Sequence, residues 1–430
     1  MIKIFKNILF VIVLCSTISV SAQNTSSSPY SQFGLGDLKA MLLPQNKAIG
    51  GLSMGFRKPG PYSNINLANP ASYSAIRLTT FDIGANTDLR KLSKTGISEN
   101  SFNALLSHIT FGIPVNAKSA ISFGILPYSQ TGYQYKNISK IGGSNVNFIY
   151  SGDGGLSKTY IGYGFGIGKN LNVGFNAGYI FGNIKENRST EFPEDLAALN
   201  SRTQVGNNIS GLSFDYGIQY ETALSKTTSL VLGYAGNAGN NLNSKSSTLS
   251  TRYLKNFGTG IESSAIDTTF FAENENRKLN LPLSHTVGFG IQKTNYWLVG
   301  ADFSYAKWSD FRSGEINRGL NDTYGVAVGG QFIIDPTAVS SYFKLVEYRL
   351  GLKYDKTYVN INNNDINQYA FTLGAGLPLK SSRSTFYRVN FAAELGERGT
   401  LKNNLIRERY VNISLGFTMN DKWFIKPKFD

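Results

Sequence analysis

Apolar and polar residues alternate with a period of two along most of this chain. From Tyr410 to Thr418, the residues Val411, Ile413, Leu415 and Phe417 share one face, and Asn412, Ser414 and Gly416 share the other. Such alternation predicts a strand whose two faces meet unlike surroundings. The pattern recurs at Ile161-Tyr163-Phe165-Ile167, Val173-Phe175-Ala177-Tyr179-Phe181, Leu212-Phe214-Tyr216-Ile218-Tyr220 and Val287-Phe289-Ile291. It returns at Trp297-Val299-Ala301-Phe303-Tyr305, Tyr324-Val326-Val328, Tyr348-Leu350-Leu352-Tyr354, Tyr369-Phe371-Leu373-Ala375-Leu377 and Tyr387-Val389-Phe391-Ala393-Leu395. Less regular strands start near Thr79, Ser107, Ser119 and Ser229, which makes about 14 in all.

The spacing between these strands separates a sandwich from a membrane barrel. Short connections fall at 116–118, 169–170, 225–228, 294–296 and 379–384, with a medium one at 335–345. Long polar stretches lie between them, at 87–106, 136–156, 182–210, 237–283, 309–322, 355–368 and 396–408. Regular alternation of short and long is the habit of outer-membrane barrels, which have tight periplasmic turns, long outer loops, an even strand number and both termini inside. A propeller would repeat at roughly 40 residues, and no such repeat is present. The expected fold is all-β, a transmembrane antiparallel β-barrel of about 14 strands with an N-terminal luminal hatch.

In such a barrel the apolar stripe faces lipid, with Tyr, Phe and Trp near the strand ends as aromatic girdles. The opposite stripe faces the lumen. It carries Asp215, Gln219 and Glu221 on one strand, Asp302 and Ser304 on another, and Glu347, Arg349 and Lys353 on a third. Arg388, Asn390 and Glu394 come from the penultimate strand. An Arg or Lys on the lipid face would cost about 2–4 kcal/mol at the midplane, so these side chains point inward. There they either pair with one another as filling, or hold a plug or line a polar path.

The N-terminus reads as a secretion signal. Lys3 and Lys6 form a basic region, Ile8 to Cys15 an apolar core, and Val20-Ser21-Ala22 a small-residue cleavage site before Gln23. Cys15 follows Val13-Leu14 rather than small residues, which argues against a lipidated cysteine. Beyond this segment no run of about 20 apolar residues exists, which excludes a helical membrane protein. The domains are then a signal peptide at 1–22, a hatch at 23–78, a barrel at 79–418 and a periplasmic tail at 419–430, with both termini periplasmic.

Composition removes most chemistry. Of 430 residues only 16% are charged, 45 are Gly, 24 Tyr and 28 Phe, against a single Cys and 2 His. Disulfide scaffolds, Cys/His zinc sites and Cys–His catalysis are excluded on these counts. His108 and His285 lie far apart in sequence without ligand-like neighbours at metal spacing. The Asn362-Asn363-Asn364-Asp365 stretch lacks the acidic ligands of a calcium loop. Gly162, Gly164, Gly166 and Gly168 recur every second residue, on one face of a strand, with no phosphate cradle and following helix. No serine sits in a nucleophile elbow. No enzymatic activity and no cofactor are expected. The net charge of +14 is spread over loops, which favours lipopolysaccharide and lipid as neighbours rather than nucleic acid.

Residues 23–78 do not read as strand. Ser28-Pro29-Tyr30-Ser31-Gln32-Phe33-Gly34-Leu35-Gly36-Asp37-Leu38, Ile49-Gly50-Gly51-Leu52 and Ile65-Asn66-Leu67-Ala68-Asn69-Pro70-Ala71-Ser72-Tyr73 are short apolar pieces set between Gly and Pro, suited to tucking into a lumen. This segment with its Asn69-Pro70-Ala71, followed by a barrel of about 14 strands, resembles the FadL family of outer-membrane proteins. Leu281-Pro282 before the strand at Ser284, Trp297, and Trp308-Ser309-Asp310-Phe311 are also similar to that family's later strands. The resemblance implies passage of small hydrophobic molecules, such as fatty acids and aromatics, through a lateral gap in the wall. The opening with Pro29 and Tyr30, and the closing Asp421-Lys422-Trp423-Phe424-Ile425-Lys426-Pro427-Lys428, look more like FadL-related accessory barrels of the type IX protein-secretion translocon. That resemblance implies an accessory subunit that docks on a larger secretion barrel and seals or services it, with the hydrophobic transporter as the alternative. Pro127 lies inside the third strand, where its missing amide donor confines it to an edge, a bulge or an opening. It is the candidate lateral gate.

Overall fold

The computed structural model describes residues 28–58, 63–195, 197–317, 319–380 and 385–423. The expected signal peptide, Cys15 and most of the C-terminal tail lie outside these residues. Fourteen strands form one antiparallel sheet. They are β1 (Thr79–Lys94), β2 (Ile97–Asn116), β3 (Ser119–Ile141), β4 (Ser144–Ile167), β5 (Leu171–Glu191) and β6 (Asn200–Ala223). β7 runs in two pieces (Thr228–Asn237 and Asn241–Tyr253), as does β8 (Asp267–Asn280 and Ser284–Lys293), whose break holds Pro282. β9 (Trp297–Ala306), β10 (Thr323–Ile333), β11 (Glu347–Ile361), β12 (Asn364–Pro378), β13 (Phe386–Gly399) and β14 (Arg407–Asp421) complete the wall. Pairing of β14 with β1, from Arg407↔Ser93 to Asp421↔Thr79, closes the barrel.

Several stretches expected to be long loops are strand. β1 and β2 continue to a turn at 95–96, β3 and β4 to one at 142–143, and β11 and β12 to one at 362–363. The reason is physical. Above the lipid band both faces of a strand meet water, so the apolar–polar alternation fades while the backbone ladder continues. Gly142 and Gly143, with φ of 61° and 91°, and Asn362 and Asn363, with φ of 50° and 59°, supply the left-handed pairs that such two-residue turns require. Asp365, beside the second turn, is held by Asn321, Asn360 and Lys356 at 2.9, 2.8 and 2.7 Å. β14 also runs past the expected end at 418 to Asp421.

The outward stripe is apolar and uncovered: Leu212, Leu352, Tyr369 and Leu415 are each more than half exposed. The inward stripe packs against residues 28–58 and 63–78. Here Asn69 caps a short 3₁₀ helix, Pro70–Ala75, by accepting from Ala71 N at 3.2 Å, and Pro70 occupies a first-turn position that needs no amide donor. The inner-face glycines leave room for this segment. A Cβ at Gly174 would lie 2.3 Å from the Pro70 carbonyl carbon, and one at Gly351 would lie 2.2 Å from the Gly50 amide nitrogen. Gly55 and Gly290 meet backbone to backbone in the same way.

Because the obstructing atoms at Gly351 are backbone, they cannot rotate aside. Gly351→Ala is expected to keep heat-modifiable barrel migration while making the chain more sensitive to trypsin at Lys47 and Arg57. An unchanged cleavage pattern would mean that the contact is looser than its geometry.

Candidate functional site

The wall forks between β2 and β3. β2 and β3 pair only from Ile109↔Ile125 to Asn116↔Ser119. Beyond Ile109, β2 continues alongside β1 alone, from His108 to Ile97. Beyond Ile125, β3 continues alongside β4. The two hairpins diverge, and each carries an irregularity at the fork: a register shift at Gly84/Ala85 on one side, and at Pro127/Ser129 on the other. Pro127 thus stands where β3 loses its neighbour, and a residue without an amide donor leaves one fewer group unpaired there.

The chain's own N-terminal segment takes up part of the vacated β3 edge. Asp37 and Leu38 form a two-residue antiparallel ladder with Gln130 and Ser129. Lys39 N donates to Tyr128 O, and Ser28 N to Gly132 O, both at 2.9 Å. The 3₁₀ helix Pro29–Gln32 lies between these contacts, with Tyr30 OH donating to Ile406 O. Ser28, beside Glu408, and Asp421, beside Thr79, therefore lie at opposite ends of the barrel.

A charged cluster clamps the segment from inside. Arg398 Nη1 reaches Asp37 Oδ1 at 2.7 Å, and its Nη2 reaches Ser28 Oγ at 2.6 Å and Glu408 Oε2 at 2.8 Å. Arg90 joins Glu408 at 2.8 Å and Asp88 at 2.6 Å. Glu408, Arg90, Arg398 and Ser28 are all buried. Burial alone would raise the Asp37 carboxyl, but Arg398, Lys39 and Arg90 overcome it and hold the group well below its ordinary range. Around the clamp, Tyr30, Leu35, Trp308, Phe311, Leu320 and Tyr358 form an apolar core across the same end of the barrel.

The luminal residues singled out in the sequence fall into separate groups. Glu347 receives Lys58, Arg349 and Arg388, the last at 3.0 Å. Lys353 pairs with Glu394 at 2.8 Å. Asp215 pairs with Lys158 at 2.7 Å. Glu221 binds Arg57 at 3.1 Å, and Asp302 accepts from the amides of Ser53 and Met54 at 2.7 and 3.0 Å. Glu221, Asp302 and Glu347 therefore hold the inner segment directly. Asn69 and Pro70 sit against Gly217 and Gly174, and Ala71 is fully buried.

Four residues of the clamp, Asp37, Arg90, Arg398 and Glu408, were not singled out by sequence. Arg398 is in phase with Arg388, Asn390 and Glu394, and Glu408 with Asn412 and Ser414, so carrying the alternation past the apolar band would have found both. His108 has a neighbour too: its Nε2 lies 2.6 Å from Asp82 Oδ1 on the adjacent strand.

Two cavities flank the segment. One, of about 480 Å³, is lined by Leu38, Met41, Leu42, Tyr128 and Trp308 among others, with the Lys158–Asp215 pair on its wall. The other, of about 350 Å³, receives Lys39, Lys47, Arg90, Lys353 and Arg398. Burial brings the Lys47 amino group down to about 8, partly offset by Glu394.

A closed antiparallel wall of fourteen strands with an apolar exterior has the architecture of an outer-membrane β-barrel. Solved structures agree on the fold. The monoaromatic hydrocarbon channel CymD matches with a TM-score of 0.56 at 12% identity, covering 91% of this chain and 99% of its own. A FadL homologue of Pseudomonas aeruginosa matches with a TM-score of 0.56 at 11% identity, covering 90% and 100%. The toluene transporter TodX of Pseudomonas putida matches with a TM-score of 0.56 at 14% identity, again covering 90% and 100%. No curated protein matches the chain in sequence. The family model for BamG matches residues 1–430, and the chain belongs to that family.

Removing one member of a buried ion pair leaves its partner uncompensated, at a cost of about 3–5 kcal/mol. Arg398→Gln is expected to lower the denaturant midpoint and release residues 28–39 to protease, while Arg398→Gln with Glu408→Gln loses less than the sum of the two. For Asp37, a carboxylate whose folded pKa is depressed stabilises fully above its unfolded value near 3.8 and loses that contribution as pH falls towards the folded value. Protease protection of the segment should therefore be unchanged from pH 8 to 5 and fall only below about pH 4. Loss of protection between pH 7 and 5 would contradict the clamp.

Proposed function

We propose that this protein is a non-enzymatic accessory barrel that acts through its wall: it docks on a larger outer-membrane barrel, of the kind found in a type IX secretion translocon, and seals or services its opening. The observation that supports this best is the floor beneath the split. An exit for small molecules has to connect the lumen with lipid. Here residues 28–39 cross that path, paired to β3 and clamped by Arg398, Arg90 and Glu408. The opening and closing motifs that resemble secretion-accessory barrels point the same way. In this reading residues 28–78 serve as the plug, and the exposed Arg409 at the rim of the apolar band meets lipopolysaccharide headgroups.

One observation favours a second reading. The 480 Å³ cavity is of the size that takes a small ligand, and Leu38, Met41, Leu42 and Trp308 give it an apolar side. A hydrophobic channel like CymD or TodX would use such a space. Its charged wall, with Lys158, Asp215, Asp302, Lys353 and Asp355, counts against a purely apolar cargo.

The test is purification of the tagged protein from native membranes in mild detergent, with mass spectrometry of proteins and lipids. Recovery of a larger barrel in stoichiometric amount is the expected result. Recovery of the protein alone, with a fatty or aromatic molecule retained, would overturn the accessory reading in favour of the channel.

A further inference from the structure

The fork repairs only one of its two edges. On β3, Tyr128, Ser129, Gln130 and Gly132 have contacts from residues 28–39. On β2, the edge from Ile97 to His108 that faces away from β1 has no ladder partner among the described residues. This edge is not confined to water. Register with β1 places Phe102 beside Leu89, Ala104 beside Thr87 and Leu106 beside Ala85 on the outward face. Phe102 and Leu106 are 54% and 51% exposed. The lower half of the free edge therefore lies within the lipid-facing band.

Hydrocarbon does not tolerate a bare strand edge, because no water is there to satisfy its N–H and C=O groups. Acyl chains carry no donors or acceptors. An extended polypeptide supplies both, in alternation, at the strand spacing of about 4.8 Å. We infer that the free edge of β2 is a docking edge, onto which a partner outer-membrane barrel adds one of its own strands antiparallel to β2. This rests on the accessory reading and names its contact surface.

Three features narrow the partner. A second copy of this chain does not fit, since a copy inserted the same way up presents β2 running in the same direction, whereas barrel walls are antiparallel. Next to the edge, the outer wall is concave over about 980 Å³, lined by Leu89, Leu352, Phe371, Leu395 and Val411, which offers an apolar seat continuous with the edge residues Asn100 and Ser101. Above the band, Lys91 and Lys94 are exposed and make no ion pair among the described residues, which calls for acidic groups on the partner's outer rim. The partner is thus a barrel with an unpaired, apolar strand and an acidic outer margin beside it.

The test places a photoreactive phenylalanine analogue singly at Phe102, Ala104 and Leu106, with Leu212 and Phe289 on other parts of the wall as controls, in the full-length protein in native cells. All five side chains face outward, so the barrel is expected to assemble, which heat-modifiable migration checks. The expected result is cross-linking from the three β2 positions, and not from the controls, to one strand of one partner. The partner residues should step by two, in the direction opposite to β2. Cross-links only to lipid, only to this chain's own N-terminal segment, or to scattered partner positions would overturn the docking edge, even with a larger barrel still co-purifying. Absence of any co-purifying barrel would overturn the accessory reading itself, and the docking edge with it.

Discussion

Everything in this barrel follows from one constraint: a backbone in hydrocarbon must find all its hydrogen bonds within protein. Thirteen of the seams between neighbouring strands meet it by ladder pairing, and β14 closing on β1 removes the edges that an open sheet would leave. The seam between β2 and β3 meets it for only seven register pairs. There the wall forks, with Pro127 at the point where β3 loses its neighbour. Segment 28–39 then acts as a partial replacement strand, serving backbone groups that β2 no longer reaches.

The lumen answers the same demand in another way. Its strands carry charges that could not face lipid, and burial would penalise them inside as well unless each found a partner. They find partners in two places. Some pair across the wall, as Lys158 with Asp215 and Lys353 with Glu394 do. Others take groups from the inner segment, as Glu221 does with Arg57 and Asp302 with the amides of Ser53 and Met54. The inner-face glycines belong to the same arrangement. At Gly174 and Gly351 the wall gives up side chains so that the backbone of the inner segment can approach it directly.

The lipid-facing band was the most legible part of the chain, because there the two faces differ and every strand announces itself. Val411, Ile413, Leu415 and Phe417 are a clear instance. Strand length was not legible, since above the band a stretch such as Lys136-Asn137-Ile138-Ser139-Lys140-Ile141 loses the strict alternation while the ladder runs on to Ile141. The clamp was hidden for the same reason: Arg398 and Glu408 stood in what read as a loop. Pro127 pointed to the fork because a missing donor has few acceptable places in a wall. Which strand edge stayed free could not be read, since it depends on where Asp37 and Leu38 come to rest, and a two-residue ladder has no periodicity to detect.

The clamp differs from the other charge groups in what would remain without the inner segment. On the wall alone it contains Arg90 and Arg398 against Asp88 and Glu408, two charges of each sign already in contact. The segment adds Asp37 and Lys39, themselves a pair at 3.0 Å. Wall and segment are each neutral on their own. Separating them costs hydrogen bonds and the apolar core around Tyr30, Leu35 and Trp308, but strands no net charge in either piece. Asp302 has no such alternative: its contacts to the inner segment are the amides of Ser53 and Met54 and the Ser53 hydroxyl, and no cation pairs with it among the described residues. The floor of the split is therefore the part of the inner segment whose electrostatics allow it to come away, while the deeper part is bound at Asp302 and Glu221, whose carboxylates would lose these partners on release.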